Sequence, residues 1–96
     1  MRFLIRAVIP ALQGNEFVRD PKFIQTMDDF IKNTNAELAF FTPFEGERSA
    51  NFIIDVNSAD QIPKIAEPFF TAGAKVYFNP IMSFEDLKKG LSHISN

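Results

Sequence analysis

Residues 2–9 alternate so that an extended chain has two unlike sides. Phe3, Ile5, Ala7 and Ile9 make one wholly apolar side, and Arg2, Leu4, Arg6 and Val8 make a mixed one. That pattern predicts a strand with one face in a core, ended by Pro10. A loop containing Gly14 and Asn15 is expected next. Asp20-Pro21 is suited to open a helix: Asp20 as N-cap, Pro21 at the first helical position, where its missing N–H costs nothing. Phe23, Met27, Phe30 and Ile31 then recur at the spacing of one amphipathic face, and residues 33–35 end it.

Two strands are predicted near 37–43 and 49–56, joined by a hairpin loop in which Gly46 supplies the permissive dihedral. In the second, Ala50, Phe52, Ile54 and Val56 form an apolar side against a mixed side of Asn51, Ile53 and Asp55. In the first, Leu38/Phe40 and Ala39/Phe41 read as equally apolar, so its faces stay open. Ser58-Ala59-Asp60-Gln61 is a capping-box pattern. The helix after it carries Ile62, Ile65, Ala66, Phe69 and Phe70 on one face. Pro63 fits the first turn, Pro68 predicts a kink or a carbonyl left for another donor, and Gly73 is the expected C-cap. In a last strand at 75–79, Val76 and Phe78 alternate with Lys75, Tyr77 and Asn79. Pro80 stops it, and Ser83 caps a short helix carrying Leu87, Leu91 and Ile94.

The order strand–helix–strand–strand–helix–strand within 96 residues predicts one α+β domain over 1–96. Its expected form is a ferredoxin-like β-α-β-β-α-β with a four-stranded antiparallel sheet and an added C-terminal helix. Right-handed crossovers set the first and third strands side by side at the sheet centre. The helices then cover the side bearing Phe3, Ile5, Phe52 and Ile54. The mixed side is left open, with Arg2 facing Asp55, Arg6 facing Asn51, and Tyr77 on the neighbouring strand. A half-apolar sheet face of this kind suits a second copy, packed sheet against sheet about a two-fold axis.

Composition narrows the partners. The net charge is −2 and the ten basic residues are scattered, which argues against nucleic acid, whose binding needs clustered Lys and Arg. The topology is shared with RNA-binding modules, but Phe3 and Phe52 lie on the sides the helices must cover, so neither ring is free to stack on a base. The absence of cysteine removes disulfides, thiolate nucleophiles and Cys-ligated zinc. No apolar run approaches the ~20 residues needed to cross a bilayer. Arg6 interrupts the apolar N-terminal stretch before it could act as an export signal, so a cytoplasmic location is expected.

Several segments resemble a family of small uncharacterised bacterial proteins in the dimeric α+β barrel superfamily. They are Gly14-Asn15-Glu16-Phe17-Val18-Arg19-Asp20, Phe41-Thr42, Gly46-Glu47-Arg48-Ser49, residues 61–70 (Gln-Ile-Pro-Lys-Ile-Ala-Glu-Pro-Phe-Phe) and residues 80–87 (Pro-Ile-Met-Ser-Phe-Glu-Asp-Leu). The resemblance covers nearly the whole chain, and the Ile-Pro…Glu-Pro-Phe-Phe helix is its most specific part. It implies a homodimer whose open sheet faces close into a barrel. It implies no particular reaction.

The candidate chemistry lies on the open face. Arg2, Arg6, Asn51, Asp55 and Tyr77 form a set that could hold a small anionic or phenolic ligand, with arginine fixing the anion and Asp55 as a base. The same set could instead be a buried ion-pair network that fixes dimer register, and for these five residues that structural reading is preferred. His93, the single histidine, lies near the C-terminus, where a metal or haem ligand lacks partners, and no cofactor or metal is expected. Glu45, Glu47 and Arg48 read as a solvated turn, and Asp20 as a local cap. The reading that follows is a homodimeric small-molecule-binding barrel. The alternative is a cofactor-free enzyme, monooxygenase- or isomerase-like, acting in the barrel interior.

Overall fold

The computed structural model describes residues 1–94. Strands β1 (Arg2–Ile9), β2 (Leu38–Phe44), β3 (Glu47–Asp55) and β4 (Lys75–Pro80) form one open sheet in the order β2-β3-β1-β4, every neighbouring pair antiparallel. Helices α1 (Ala11–Arg19), α2 (Phe23–Thr34), α3 (Ile62–Thr71) and α4 (Phe84–Ser92) complete the α+β chain, whose strand order is compatible with a ferredoxin-like fold. Among the described residues no helix is long and apolar enough to cross a membrane.

The core lies where the alternation placed it. Ile5, Ala7 and Ile9 of β1 and Ala50, Phe52 and Ile54 of β3 are buried together with Ile65 and Phe69 of α3. Three rings from three elements meet at its centre: Phe30 of α2 lies 4.8 Å from Phe52 and 5.0 Å from Phe69, and Phe52 lies 5.7 Å from Phe69, centroid to centroid. Such tilted and edge-on contacts favour ring pairs beyond simple burial. With Phe52 fully buried, it has no surface to offer a nucleic-acid base.

The structure departs from the expected elements at the first connection. Residues 11–19, predicted as a loop, form α1, and Gly14 is its buried residue. A Cβ at Gly14 would come within 2.8 Å of Arg48 Nη1 and 3.1 Å of Arg48 Cδ. This glycine is therefore a close-approach site, and Arg48 crosses there to donate to Asn15 Oδ1 at 3.1 Å. The next helix starts later than predicted, at Phe23. Asp20 still serves its entry, since its Oδ1 accepts the Lys22 amide at 2.9 Å, with Pro21 held in the turn. Helix α3 runs unbroken through Pro68. Before it, Gln61 Oε1 accepts the amides of Asn57 and Ser58, as a capping box requires.

The β2–β3 hairpin has a two-residue turn, Glu45-Gly46, with both φ values positive (50° and 81°). This is the turn whose twist matches that of the flanking strands. It opposes Phe44 to Glu47 and so settles the faces of β2: Ala39 and Phe41 lie on the helix side, Phe40 and Phe44 on the open side.

Two substitutions test these assignments. Phe52→Ala is expected to cost about 3–5 kcal/mol in chemical denaturation, because it removes the ring shared by α2, β3 and α3. A Cβ at Gly46 meets nothing within 4 Å. Gly46→Ala should therefore cost only the backbone term, about 1–2 kcal/mol, in the same measurement.

Candidate functional site

The open face is organised in rows set by register. Arg6 of β1 lies opposite Asn51 of β3 on one side and Tyr77 of β4 on the other, and Asn51 lies opposite Phe40 of β2. Three of the five candidate residues thus share one row. Arg2 and Asp55 are also directly opposite each other.

The side chains of that second pair do not meet as expected. Asp55 accepts from the Met1 amino group at 2.8 Å, while Arg2 forms its ion pair with Glu37. Asp55 and Arg2 are both solvent-exposed, and no ion pair joins Asp55 to either arginine among the described residues. The expected Arg2–Arg6–Asp55 network is therefore replaced by two rim pairs. The physical reason is competition at the sheet end. There Glu37, leading into β2, and the Met1 amino group offer opposite charges in water-accessible geometry, and exposed pairs form with whichever partner is nearest.

Arg6 is held differently. Its Nε donates to Asn51 Oδ1 at 2.7 Å, and its guanidinium carbon lies 4.1 Å from the centroid of the Phe44 ring. Asn51 is itself fixed. It is fully buried, and its Nδ2 donates to Ser49 Oγ at 3.0 Å and to the Phe40 carbonyl at 3.3 Å. Ser49, also buried, donates to the Thr42 carbonyl at 2.6 Å. Every buried polar side chain among the described residues finds a partner, so the network is complete below the guanidinium. Above it, Arg6 makes no further hydrogen bond and no ion pair within the described chain. Its two terminal nitrogens keep four donors in a fixed fork.

Beside this fork lies a shallow depression of about 160 Å³ lined by Arg6, Phe44, Glu45, Tyr77 and Asn79. The carboxylate on its wall is Glu45, not Asp55. Phe44, Ser49 and Asn79 are not singled out by the sequence, and Glu45, read there as part of a solvated turn, instead lines the depression. Counting back from a two-residue turn at Glu45-Gly46 opposes Phe44 to Glu47 and Phe40 to Asn51, and this was the signal available for the faces of β2. No group of three or more His, Asp or Glu able to hold a metal occurs among the described residues. His93 follows α4 and is exposed.

Comparison with models of known families and with curated proteins finds no match to this chain.

The support beneath Arg6 can be measured directly. Asn51→Ala removes the acceptor for Arg6 Nε and the donor to Ser49 Oγ and the Phe40 carbonyl, so a stability loss of about 1–3 kcal/mol is expected by denaturant titration.

Proposed function

We propose that this protein is a homodimeric small-molecule-binding barrel. In this reading two open sheet faces enclose a site for a small anionic or phenolic ligand centred on Arg6. The observation that carries the reading is the state of Arg6: oriented by a buried asparagine, stacked on Phe44, and given no carboxylate partner. A structural arginine on a sheet face is normally neutralised by a carboxylate, whereas a recognition arginine keeps its fork unspent for a planar anion.

Closure by a second copy follows from size and surface. A depression of about 160 Å³ is too small alone, but two facing ones give roughly 320 Å³, the low end of ordinary ligand sites. Leu4, Phe40 and Ile53 are half-buried on the same face, and Leu38 and Tyr77 are exposed there. This apolar share is what a sheet-to-sheet contact would take out of water. The barrel superfamily that the sequence resembles closes such faces in the same way. A catalytic role needs a base beside the bound ligand. Glu45 is the carboxylate in position, since Asp55 lies four residues farther along β3.

A thermal-shift titration with benzoate and 4-hydroxybenzoate tests the reading. The wild-type chain is expected to gain thermal stability with one or both. Arg6→Gln should weaken the apparent affinity at least ~10-fold, the loss of one charge-assisted contact. Equal shifts in both proteins, or none in either, would overturn the assignment of Arg6.

A further inference from the structure

Helix α4 is strongly specified yet packs on little. Ser83 is its N-cap: Ser83 Oγ accepts the Asp86 amide at 3.0 Å, and Asp86 Oδ2 accepts the Ser83 amide at 3.0 Å. The Ser83 amide, and after it the Ser83 hydroxyl, hold the Asp86 carboxyl below the usual carboxylate range. A nine-residue helix is marginal in water unless an apolar face is covered. The face exists. Phe84, Leu87 and Leu91 fall at spacings of three and four on one narrow stripe of α4, and Ile94, expected on the helix, follows just past its end at Ser92. Phe84 is 71% exposed, Leu91 53% and Ile94 77%. The chain is correspondingly long, 55 × 28 × 20 Å, with a radius of gyration of 15.5 Å. A compact domain of this length has about 12.5 Å.

A matching acceptor lies at the opposite edge of the sheet. Between α2 and β2 runs an apolar groove of about 320 Å³, lined by Phe23, Ile24, Met27, Ile31 and Phe41, with Asp28 on its wall. From Ile24 to Ile31 is seven residues of helix, and from Phe84 to Leu91 is also seven, each ~10.5 Å. The two cannot readily meet within one chain. Helix α4 follows β4, at one edge, and the four steps from Pro80 to Phe84 reach at most ~14 Å when fully extended. The groove borders β2 at the other edge, three strand spacings or ~14 Å away across the sheet, and displaced from the sheet plane on its helix-covered side.

We propose that α4 is an exchange arm whose apolar stripe occupies the α2–β2 groove of a second copy of this chain. The inference rests on the homodimer reading above. A two-fold axis parallel to the strands lays the β4 edge of each copy over the β2 edge of the other. Residues 81–83 and the first turn of the arm then carry it from the partner's β4 edge round the β2 edge to the groove on the helix-covered side. Met82, Ile94 and the stripe residues hold on the order of 500 Å² of exposed surface per arm, from side-chain areas of this class. Two arms in two grooves then bury roughly 2,000 Å² counted over both partners, as a stable dimer requires.

The chain lacks cysteine, so a cross-link reports only on introduced positions. Ile24→Cys on a chain lengthened by a tag is mixed with untagged Leu91→Cys, oxidised, and run on a non-reducing gel beside sedimentation of the wild-type chain. Formation of the tagged–untagged disulfide as the main product, with each variant alone remaining largely uncross-linked, is the expected result. In addition, Phe84→Glu with Leu91→Glu should raise the dimer dissociation constant at least ~10-fold. A wild-type dimer that yields no mixed disulfide overturns the arm and leaves the open-face dimer standing. A wild-type monomer at micromolar concentration overturns both. A mixed disulfide together with ligand shifts unaffected by Arg6→Gln supports the arm and overturns the Arg6 site alone.

Discussion

The register of β1 against β3 is the constraint on which the rest depends. Arg2 faces Asp55, and each following pair advances by one residue until Ile9 faces Arg48. Because strand side chains alternate, this single choice puts Ile5 and Phe52 together under the helices and Arg6 and Asn51 together on the other face. A slip by one residue would set an open-side residue of β1 opposite Phe52, and so either bury the Arg6 side or expose the Phe52 ring. The apolar side thus enforces the geometry of the polar side, and Arg6 meets Asn51 because Ile5 must meet Phe52.

The open face carries a cost that the fold meets locally. Asn51 and Ser49 are polar and buried, a burden of a few kcal/mol if unpartnered. Their bonds to the Phe40 and Thr42 carbonyls and to each other remove that burden, and leave one Asn51 oxygen for Arg6. Two of these four bonds end on β2 carbonyls, so the Glu45-Gly46 turn, which sets the register of β2, also helps to set the orientation of the guanidinium. Local turn chemistry and site geometry are one problem here.

Much of this was legible in the sequence. The alternation in 2–9 and 49–56 located the core and the open face, and the Ser58 and Ser83 signals located two helix starts. Helix α1 was not legible, because Gly14 reads as a loop residue when its reason is a neighbour 34 positions away, Arg48, which needs the space a Cβ would fill. Nor was the fate of Asp55. Register brings it opposite Arg2, but register fixes backbones and not the ends of long exposed side chains, which choose among nearby charges. Arg6 and Asn51 were foreseen as a pair because both are short of alternatives: one is buried, the other is pinned between it and a ring.

The same distinction bears on α4. Its helical form is written locally, in the Ser83–Asp86 cap and the spacing of its apolar residues, and the structure shows it formed. Its packing is not local, and the chain's own described surface does not supply it. A sequence under no pressure to cover that stripe would be expected to place polar residues at positions 84, 87, 91 and 94, as it does at 85, 86, 88 and 89. Large apolar side chains kept in register along the nine residues of α4, with Ile94 just beyond, are what a covered face requires. Within this fold the surface of matching length lies along the edge strand β2. Edge strands invite pairing with other chains unless something protects them, and an apolar helix laid beside β2 would both fill its groove and close off that edge.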